Sequence, residues 1–277
     1  MRIGVNTMSF MWRASAMDAL ETLARQGYRR FEIMAQPPHF DPMMSAPDAQ
    51  AFARFLRDAG LTVESINLPS LDQNMGSASR EMREYSIGLY QRLIAIAQAI
   101  GAEAIITVTG RVNPLIPHAR KDLEGWFEDA FARVLRLAEG AGIKLLLENI
   151  PIGVFPTAAQ MVAFAERIGS PAVGICYDIA NAHFIGEDVA AGVHAVQSRL
   201  GIVHLSDTNR DKWRHDPIGM GSCDFAGFAR ALREIGYDKS SMLEIVAEDG
   251  VGQTVESHGK AAQWGWSAAR ADSPARA

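Results

Sequence analysis

Short apolar runs alternate with longer amphipathic segments along almost the whole chain. Runs such as RIGVNT near the start and IKLLLENI in the middle have the length and the branched apolar residues of buried β-strands. The segments between the runs place apolar residues at helical spacing, as Met17, Leu20 and Leu23 do, and commonly stop at a glycine such as Gly27. The pattern therefore predicts strands and helices in alternation.

This alternation predicts eight strands, over residues 2–7, 29–35, 61–68, 102–110, 143–150, 172–179, 201–207 and 241–248. An amphipathic segment follows each of the first seven strands, weakest over residues 189–200, and a glycine-containing stretch follows the eighth. Strands separated by helices pair in parallel through right-handed crossovers, and eight such units commonly close into a barrel. We predict an α/β fold, a single (β/α)8 barrel over residues 1–268 with a C-terminal tail over residues 269–277.

An open doubly wound sheet is the alternative arrangement of the same elements. Such sheets bind dinucleotides or phosphates through a glycine-rich loop after the first strand. Here that segment, VNTMSFMWRAS, contains no glycine. The sequence therefore favours the closed barrel.

Composition narrows the classes of protein that fit. The chain has 277 residues, of which 48% are hydrophobic, so it can form a sizeable core. A net charge of −5 disfavours duplex binding through a broad basic surface. No apolar run approaches the roughly 20 residues of a membrane span, and the two cysteines fit a reducing compartment. We expect a cytoplasmic protein with no nucleic-acid or membrane partner.

Four consecutive predicted strands, the fifth to the eighth, carry ionisable side chains near their carboxyl ends. These residues are Glu148, Asp178, His204 and Glu244. A carboxylate is costly at the end of a buried strand unless it is paired, solvated or bound to metal. Each of the four alone is readily explained as a solvated acid or a core histidine. Because the strands are neighbours in the predicted barrel, their ends converge, and the set predicts a metal site rather than a plain polar network.

Two glutamates, an aspartate and a histidine form a mostly oxygen, hard donor set. Such a set suits Mn²⁺ or Mg²⁺, and Co²⁺, Fe²⁺ and Zn²⁺ are also possible. We expect Mn²⁺ as the cofactor, with coordination positions left for water or for substrate oxygens.

The chain resembles the sugar phosphate isomerase/epimerase superfamily of xylose isomerase-like TIM barrels, which includes ketose 3-epimerases and hydroxypyruvate isomerase-like proteins. The motifs that carry the resemblance are LLLENI, GICYDIANAHFIGED, VHLSDTNRD, IGMGSCDF and MLEIV. The resemblance implies that Glu148, Asp178, His204 and Glu244 bind one divalent metal, often Mn²⁺. It also implies a small-molecule carbohydrate substrate and the possibility of a homo-oligomer.

Isomerising a keto sugar requires removal of a weakly acidic proton next to a carbonyl. A metal that chelates the carbonyl stabilises the resulting enediolate, while a base removes the proton and an acid returns it. By resemblance, Glu148 and Glu244 are both metal ligands and the catalytic pair. The alternative is that they only hold the metal while another group moves the proton.

Five further residues are candidates for substrate binding. Arg210 matches by resemblance an arginine that holds substrate oxygens, with a surface salt bridge as the alternative. His183 lies five residues after Asp178, whereas the resemblance expects a substrate-binding histidine three residues after it, where the chain has Asn181. His183 therefore contacts either the substrate or a residue behind the site.

The remaining candidates come from the loops and from the second strand. His215 follows Arg210 in the same loop, Trp12 follows the first strand, and Glu32 lies near the end of the second strand. Trp12 could cover an apolar sugar face or pack locally. Glu32 could bind substrate hydroxyls or pair with a neighbouring arginine.

The sequence thus predicts a metal-dependent isomerase or epimerase of a small sugar, keto sugar or related polyol. The alternative on the same metal site is a lyase that dehydrates an inosose or a dehydroshikimate-like substrate, because its first step is the same proton removal. An abasic-site endonuclease is disfavoured, because that branch of the superfamily binds several metals through additional histidines and aspartates. The chain has only seven histidines, and its net charge is negative. A non-enzymatic sugar-binding barrel is disfavoured because all four ligand types are present.

Overall fold

The computed structural model describes residues 1–268 as a closed barrel of parallel strands surrounded by helices. The strands are β1 Arg2–Asn6, β2 Arg30–Met34, β3 Thr62–Asn67, β4 Ala104–Val108, β5 Lys144–Glu148, β6 Val173–Asp178, β7 Leu200–Leu205 and β8 Ser240–Leu243. The sheet closes because β1 pairs with both β8 and β2. The predicted (β/α)8 barrel is confirmed. The predicted tail, 269–277, lies outside the described residues.

Helices follow the strands and cover the outside of the barrel. They are α1 Ala16–Arg25, α2 Ala46–Ala59, α3 Arg80–Ile100, α4 Arg120–Ala141, α5 Ala158–Ile168, α6 Ile179–Phe184, α7 Val189–Val196, α8 Phe225–Glu234 and α9 Gly250–Ala261. Hydroxyl and carboxylate caps start many of them; Thr157, for example, forms a reciprocal capping box with Gln160 at the start of α5. Within residues 1–268 no helix is both long and apolar enough to cross a lipid bilayer.

The interior of the barrel is filled in layers because alternate residues of each strand point inward. One apolar cluster in this interior consists of Ala104, Ile106, Leu146, Cys176, Ile202 and Met242. The inward position two residues further along β5 to β8 holds Glu148, Asp178, His204 and Glu244. The strand register that fills the core thus places four ionisable groups in the next layer. This layer lies at the mouth of the barrel formed by the carboxyl ends of the strands.

The main differences between the structure and the predicted elements are four. Strand β8 ends at Leu243 rather than continuing to residue 248, so Glu244 begins the loop after the strand. A short unpredicted helix, α6, follows β6 directly. The glycine-containing stretch after β8 forms the helix α9, which completes the eighth strand–helix unit. A short strand, β9 Ser267–Ala268, pairs with the start of β1.

Candidate metal centre

Four side chains from adjacent strands meet at the carboxyl mouth of the barrel. Glu148 and Asp178 are the last residues of β5 and β6, His204 is the next-to-last residue of β7, and Glu244 directly follows β8. All four are buried, with at most 4% of their surface exposed. One ligand atom from each lies within 4.8 Å of the ligand atoms of the other three. This spacing is compatible with a single bound cation.

The three carboxylates surround one ring nitrogen of His204. Its Nδ1 lies 3.0 Å from Glu148 Oε1, 3.0 Å from Glu244 Oε2 and 3.9 Å from Asp178 Oδ2. Strand pairing sets this arrangement, because Asp178 lies directly opposite His204 in the β6–β7 ladder. The Nδ1 atom and three carboxylate oxygens therefore converge on the same small volume.

Neighbouring residues hold the second oxygen of two of these carboxylates. Asp178 caps α6 through Oδ1, which accepts the Asn181 backbone N–H at 2.6 Å. Glu244 Oε1 accepts from Asn6 Nδ2 at 3.0 Å and from Asn67 Nδ2 at 3.3 Å. These hydrogen bonds fix the orientation of each carboxylate.

The remaining oxygens, Asp178 Oδ2 and Glu244 Oε2, are buried and accept no hydrogen bond within the part of the chain that the structure describes. Buried anionic oxygens without donors are strongly unfavourable unless a cation binds them. The donor set, its burial and these two oxygens fit a divalent metal.

Glu32 lies on the other side of the His204 ring. Its Oε1 is 2.9 Å from His204 Nε2, and the carboxylate accepts hydrogen bonds from Asn6 Nδ2 at 2.6 Å and Ser65 Oγ at 2.5 Å. A metal-binding histidine commonly has a carboxylate at its second ring nitrogen, which fixes the ring orientation. Fully buried Glu32 occupies that position.

The concentration of charge shifts the pKa values of these groups. Burial, together with the nearby Glu148 carboxylate, raises the pKa of Glu244 to about 7, although His204 partly opposes the shift. Burial alone would lower the pKa of His204. The electrostatic attraction of Cys176, Glu244 and Glu32 for a protonated ring outweighs burial, so the pKa lies well above its ordinary value. Burial would also raise the pKa of Glu32, yet His204, Ser65 and Asn6 together lower it. A bound cation would compete with these protons.

Comparison with known proteins identifies the family of this barrel. The family model described as "Xylose isomerase-like TIM barrel" matches residues 20–268. The chain belongs to the xylose isomerase-like TIM barrel family.

Several of the proteins to which the chain is similar are named as sugar epimerases. An L-ribulose 3-epimerase of Mesorhizobium japonicum is 27% identical over 270 residues, covering 95% of this chain and 86% of that protein. The crystal structure of a D-tagatose 3-epimerase-like protein superposes with a TM-score of 0.84 at 22% identity, covering 95% of this chain and 97% of that one. The IOLI protein, crystallised with a bound zinc atom, gives a TM-score of 0.79 at 18% identity, with coverages of 94% and 98%.

The xylose isomerase-like barrel brings one further predicted residue, His215, to the edge of the centre. His215 Nδ1 lies 3.5 Å from Glu244 Oε2 and 3.8 Å from Asp178 Oδ2. The same nitrogen is 3.0 Å from Ser206 Oγ. His215 is therefore placed to contact a molecule bound at the metal centre.

The other predicted substrate residues lie around the mouth of the barrel, Arg210 and Trp12 in loops and His183 in α6. Arg210 is exposed and lines a shallow cavity of about 280 Å³ together with His183. His183 Nε2 is 3.0 Å from Ser222 Oγ, which ties the α6 segment to the loop after β7. Trp12 is 61% exposed on the loop between β1 and α1. None of these three is among the side chains that converge on His204.

The loop after β7, residues 206–224, is held together by one buried carboxylate. Asp207 accepts the backbone N–H groups of Thr208, Gly219 and Cys223 at 2.8–3.1 Å. Gly219 has a φ of +89°, and a Cβ atom on Gly221 would collide with Asp207 and Thr208. Both glycines are thus needed for the path of this loop over the barrel mouth.

Two groups of residues were missed in the sequence. Asn6 and Asn67, which hold Glu244, are the last residues of β1 and β3. The sequence analysis considered only ionisable side chains at the carboxyl ends of strands. The same criterion extended to asparagine would have identified Asn6 and Asn67. Trp213, whose indole N–H donates to Asn181 Oδ1 at 2.7 Å, has no comparable signal because that contact joins the loop after β7 to the short helix α6.

Proposed function

We propose that this barrel is a divalent-metal-dependent isomerase or epimerase of a small sugar, keto sugar or related polyol. The observation that carries the proposal is the convergence of Glu148, Asp178, His204 and Glu244, with two buried carboxylate oxygens that accept no hydrogen bond from the described residues. The names of the relatives support it, because an L-ribulose 3-epimerase aligns with nearly the whole chain.

Mn²⁺ is the cation that we propose for the centre. Three carboxylates and one imidazole are compatible with Mn²⁺, and also with Mg²⁺, Co²⁺, Fe²⁺ or Zn²⁺. The zinc found in the IOLI protein shows that a barrel of similar fold binds a divalent transition metal. When bound, such a cation would polarise a substrate carbonyl and stabilise the charge that develops in an enediolate.

Glu148 and Glu244 are the residues that we propose to move the proton. They approach His204 Nδ1 from β5 and from the end of β8, each at 3.0 Å. One removes the proton from the carbon next to the carbonyl, and the other returns a proton to the opposite face for epimerisation or to the neighbouring carbon for isomerisation. In the metal-free protein burial raises the pKa of Glu244 to about 7; a bound cation would lower this pKa again and favour the carboxylate form that a base requires.

The surrounding residues receive different roles in this proposal. His215, next to Glu244 and Asp178, contacts the substrate. The segments that carry Arg210, His183 and Trp12 would have to close over the mouth for these residues to contact more distant substrate atoms. For Glu32, the contacts with His204 and Asn6 favour a positioning role: its carboxylate orients the imidazole rather than the sugar.

Deuterium exchange tests this proposal directly. The metal-loaded protein, incubated with L-ribulose and related ketoses in D₂O, is expected to exchange the proton next to the carbonyl, detected by NMR. Glu148→Gln and Glu244→Gln are each expected to reduce exchange by about a thousandfold or more, because acid–base catalysis contributes about 10²–10⁴-fold and each change also removes a ligand. Glu103→Gln, at an exposed residue before β4, is the control.

Each outcome of this experiment has a clear meaning. Full exchange by both glutamine variants would remove the proposed catalytic pair. No exchange with any ketose by the metal-loaded wild-type protein would reject the proposed activity. The relatives' names do not favour the dehydratase alternative; loss of water from the substrate, seen in the same spectra, would restore it.

A further inference from the structure

The amino ends of the strands carry a second cluster of charged residues, at the opposite mouth of the barrel from the candidate metal centre. Arg2, Arg30 and Lys144 are the first residues of β1, β2 and β5, and Lys239 directly precedes β8. The strands run parallel around a closed barrel, so their amino ends meet at one mouth. All four residues line a cavity of about 300 Å³ there. Four cationic residues thus meet at one cavity, on a chain whose net charge is −5.

An apolar floor separates this cavity from the metal centre. Ala104, Leu146 and Ile202 line the cavity and also belong to the apolar cluster inside the barrel. On β5, Lys144 lies two residues before Leu146, and Glu148 lies two residues after it. Lys144 and Glu148 are therefore separated by roughly 13 Å along the strand. A molecule in the cavity is kept away from the metal ligands by the apolar cluster.

Two carboxylates also line the cavity, and they balance only part of its charge. Glu64 Oε1 accepts from Arg30 Nη1 at 2.7 Å and from Ser240 Oγ at 2.9 Å. The other carboxylate, Glu103, belongs to an exposed residue. Four cationic residues against two carboxylates leave the described lining with an excess of two positive charges. This charge favours an anion in the cavity over a metal ion or a neutral sugar.

The cationic side chains donate to neutral groups of the backbone. Arg2 Nη2 donates to the Asp238 carbonyl at 2.6 Å, and Lys239 Nζ donates to the Leu200 carbonyl at 2.8 Å. Within residues 1–268, Arg2, Lys144 and Lys239 form no ion pair with a carboxylate. These contacts fix Arg2 and Lys239 at the strand ends and leave their charges available to a ligand.

The environment of Lys239 supports the same conclusion. Partial desolvation of its ammonium group, together with the charge of Lys144, lowers the pKa of Lys239, and Asp238 and Glu103 offset this only in part. Like charges that are held close together repel each other, and an anion bound between them removes this repulsion. The two lysines are therefore placed to share one anionic group.

A second cavity adjoins the first. Its volume is about 260 Å³, and it shares Lys144 and Lys239 with the first cavity and adds Arg199. Arg199 Nη1 donates to the Ser170 carbonyl at 2.8 Å. The two lysines thus lie where the two cavities meet, with an arginine on either side. Volumes near 300 Å³ are at the lower end of those found for small-molecule sites, which indicates a compact ligand.

We propose that the amino mouth of the barrel is a binding site for a small polyanion, a compact molecule with two or more phosphate or carboxylate groups. Lys144 and Lys239 bind one anionic group between them, and Arg2 or Arg199 binds a second. A guanidinium group can hold two oxygens of such a group, whereas an ammonium group acts as a point charge. This inference does not rest on the proposed function, because the site lies at the other end of the barrel.

Isothermal titration calorimetry tests the proposal with pyrophosphate, citrate and orthophosphate as probes. The full chain is used without metal and after removal of chelator, because a cation at the other mouth would itself bind these probes. We expect one pyrophosphate or citrate per chain, bound at least about tenfold more tightly than orthophosphate, because a second anionic group engages further cations. The tighter of the two identifies phosphate or carboxylate as the preferred group. Added salt should weaken binding by screening.

Charge-removing variants locate the bound anion. Lys144→Met and Lys239→Met each keep an apolar stem and remove one charge. We expect each to weaken binding of the preferred probe by about 5- to 10-fold, and the double variant by about 50-fold. Lys121→Met, at an exposed lysine in α4, is the matched control and should bind as wild type. Mn²⁺ binding by each variant, measured separately, should equal that of wild type and shows that the barrel is folded.

Three outcomes would overturn the proposal. One is that neither pyrophosphate nor citrate binds to the wild-type protein. Another is that the double variant binds the probe with wild-type affinity, which would place the anion elsewhere. The third is an equal loss in Lys121→Met, which would show attraction by overall charge alone. If Lys239→Met does not fold because the bond to the Leu200 carbonyl is lost, the exposed Lys144 gives the same test through Lys144→Met alone.

Discussion

Glu244 illustrates how a single buried carboxylate links function to stability. Burial, with a contribution from Glu148, raises its pKa from the ordinary value of 4.5 to about 7. The metal-free native state therefore binds a proton that the unfolded chain has already released. The stabilisation from this proton is complete below about pH 4.5 and is lost as the pH rises through about 7. The raised pKa of His204 acts in the same direction.

We predict that Glu244→Gln stabilises the metal-free protein at pH 8. Glutamine removes the buried charge and keeps an oxygen for Asn6 and Asn67. The shift in pKa corresponds to about 3 kcal/mol at most, so a gain of about 1–3 kcal/mol in the free energy of unfolding is expected. Urea unfolding in chelator at pH 6 and pH 8 measures it. Equal pH dependence in the variant and wild type would contradict this account of Glu244.

The residues of the site differ in whether their contacts could be predicted from the sequence. Glu148, Asp178, His204 and Glu244 could be predicted as one group because each occupies an inward position at the end of a strand, where the two-residue period of the strand is visible in the sequence. The contact between Trp213 and Asn181 could not, because its partners are 32 residues apart, one in the short helix α6 and the other in the loop after β7, whose path no local pattern determines. Glu32 was predicted to bind substrate hydroxyls or to pair with a neighbouring arginine, whereas the structure places it against His204 and Asn6, which lie on other strands.

At the level of elements, the long helices and interior strands were predictable because their periodicity extends over several turns or fills a complete run. The ends of the strands and the shortest helix were harder to predict. Strand β8 pairs only over Ser240–Leu243, although the apolar run continues to Ile245, which is also buried. Helix α6 has six residues, too few for a periodic pattern, and depends on the cap from Asp178. The side chain of Asp178, a proposed metal ligand, thus also determines local structure.

The loop after β7 provides a prediction about an element. Asp207 accepts three backbone N–H groups and positions the segment that carries Trp213 and His215. Asp207→Ala should leave those donors unpaired and loosen the loop while the barrel stays folded. We expect faster tryptic cleavage at Arg210, Lys212 and Arg214, and a KM raised by about tenfold with metal content unchanged.

Asp211→Ala is the matched control for this prediction, because Asp211 is an exposed carboxylate in the same loop. It should leave both cleavage and KM as in wild type. Cleavage of Asp207→Ala at the wild-type rate, with a normal circular dichroism spectrum, would show that the loop does not depend on Asp207.

At the scale of the whole molecule, the barrel is stabilised by its apolar core but carries a cluster of like charges at one mouth. Glu148, Asp178 and Glu244 approach one another within 4.8 Å, and their mutual repulsion opposes folding in the absence of a cation. A cation that binds only the folded barrel adds RT ln(1 + [M]/Kd) to its stability, about 2.7 kcal/mol at a hundred times Kd. Metal should therefore change the stability of the entire domain.

We predict that Mn²⁺ at saturating concentration raises the Tm of the chelator-treated protein by about 5 to 10 °C, since about 1 kcal/mol shifts a domain of this size by a few degrees. The rise should be larger at pH 8 than at pH 6, because the cation must displace the proton held by Glu244 with a pKa of about 7. Binding should accordingly release protons into a weakly buffered solution at pH 6. His204→Ala should lose most of the shift, whereas the exposed Glu103→Gln should keep it. A shift of the same size in His204→Ala would place the cation elsewhere on the molecule, and the proposed chemistry would then lack its metal.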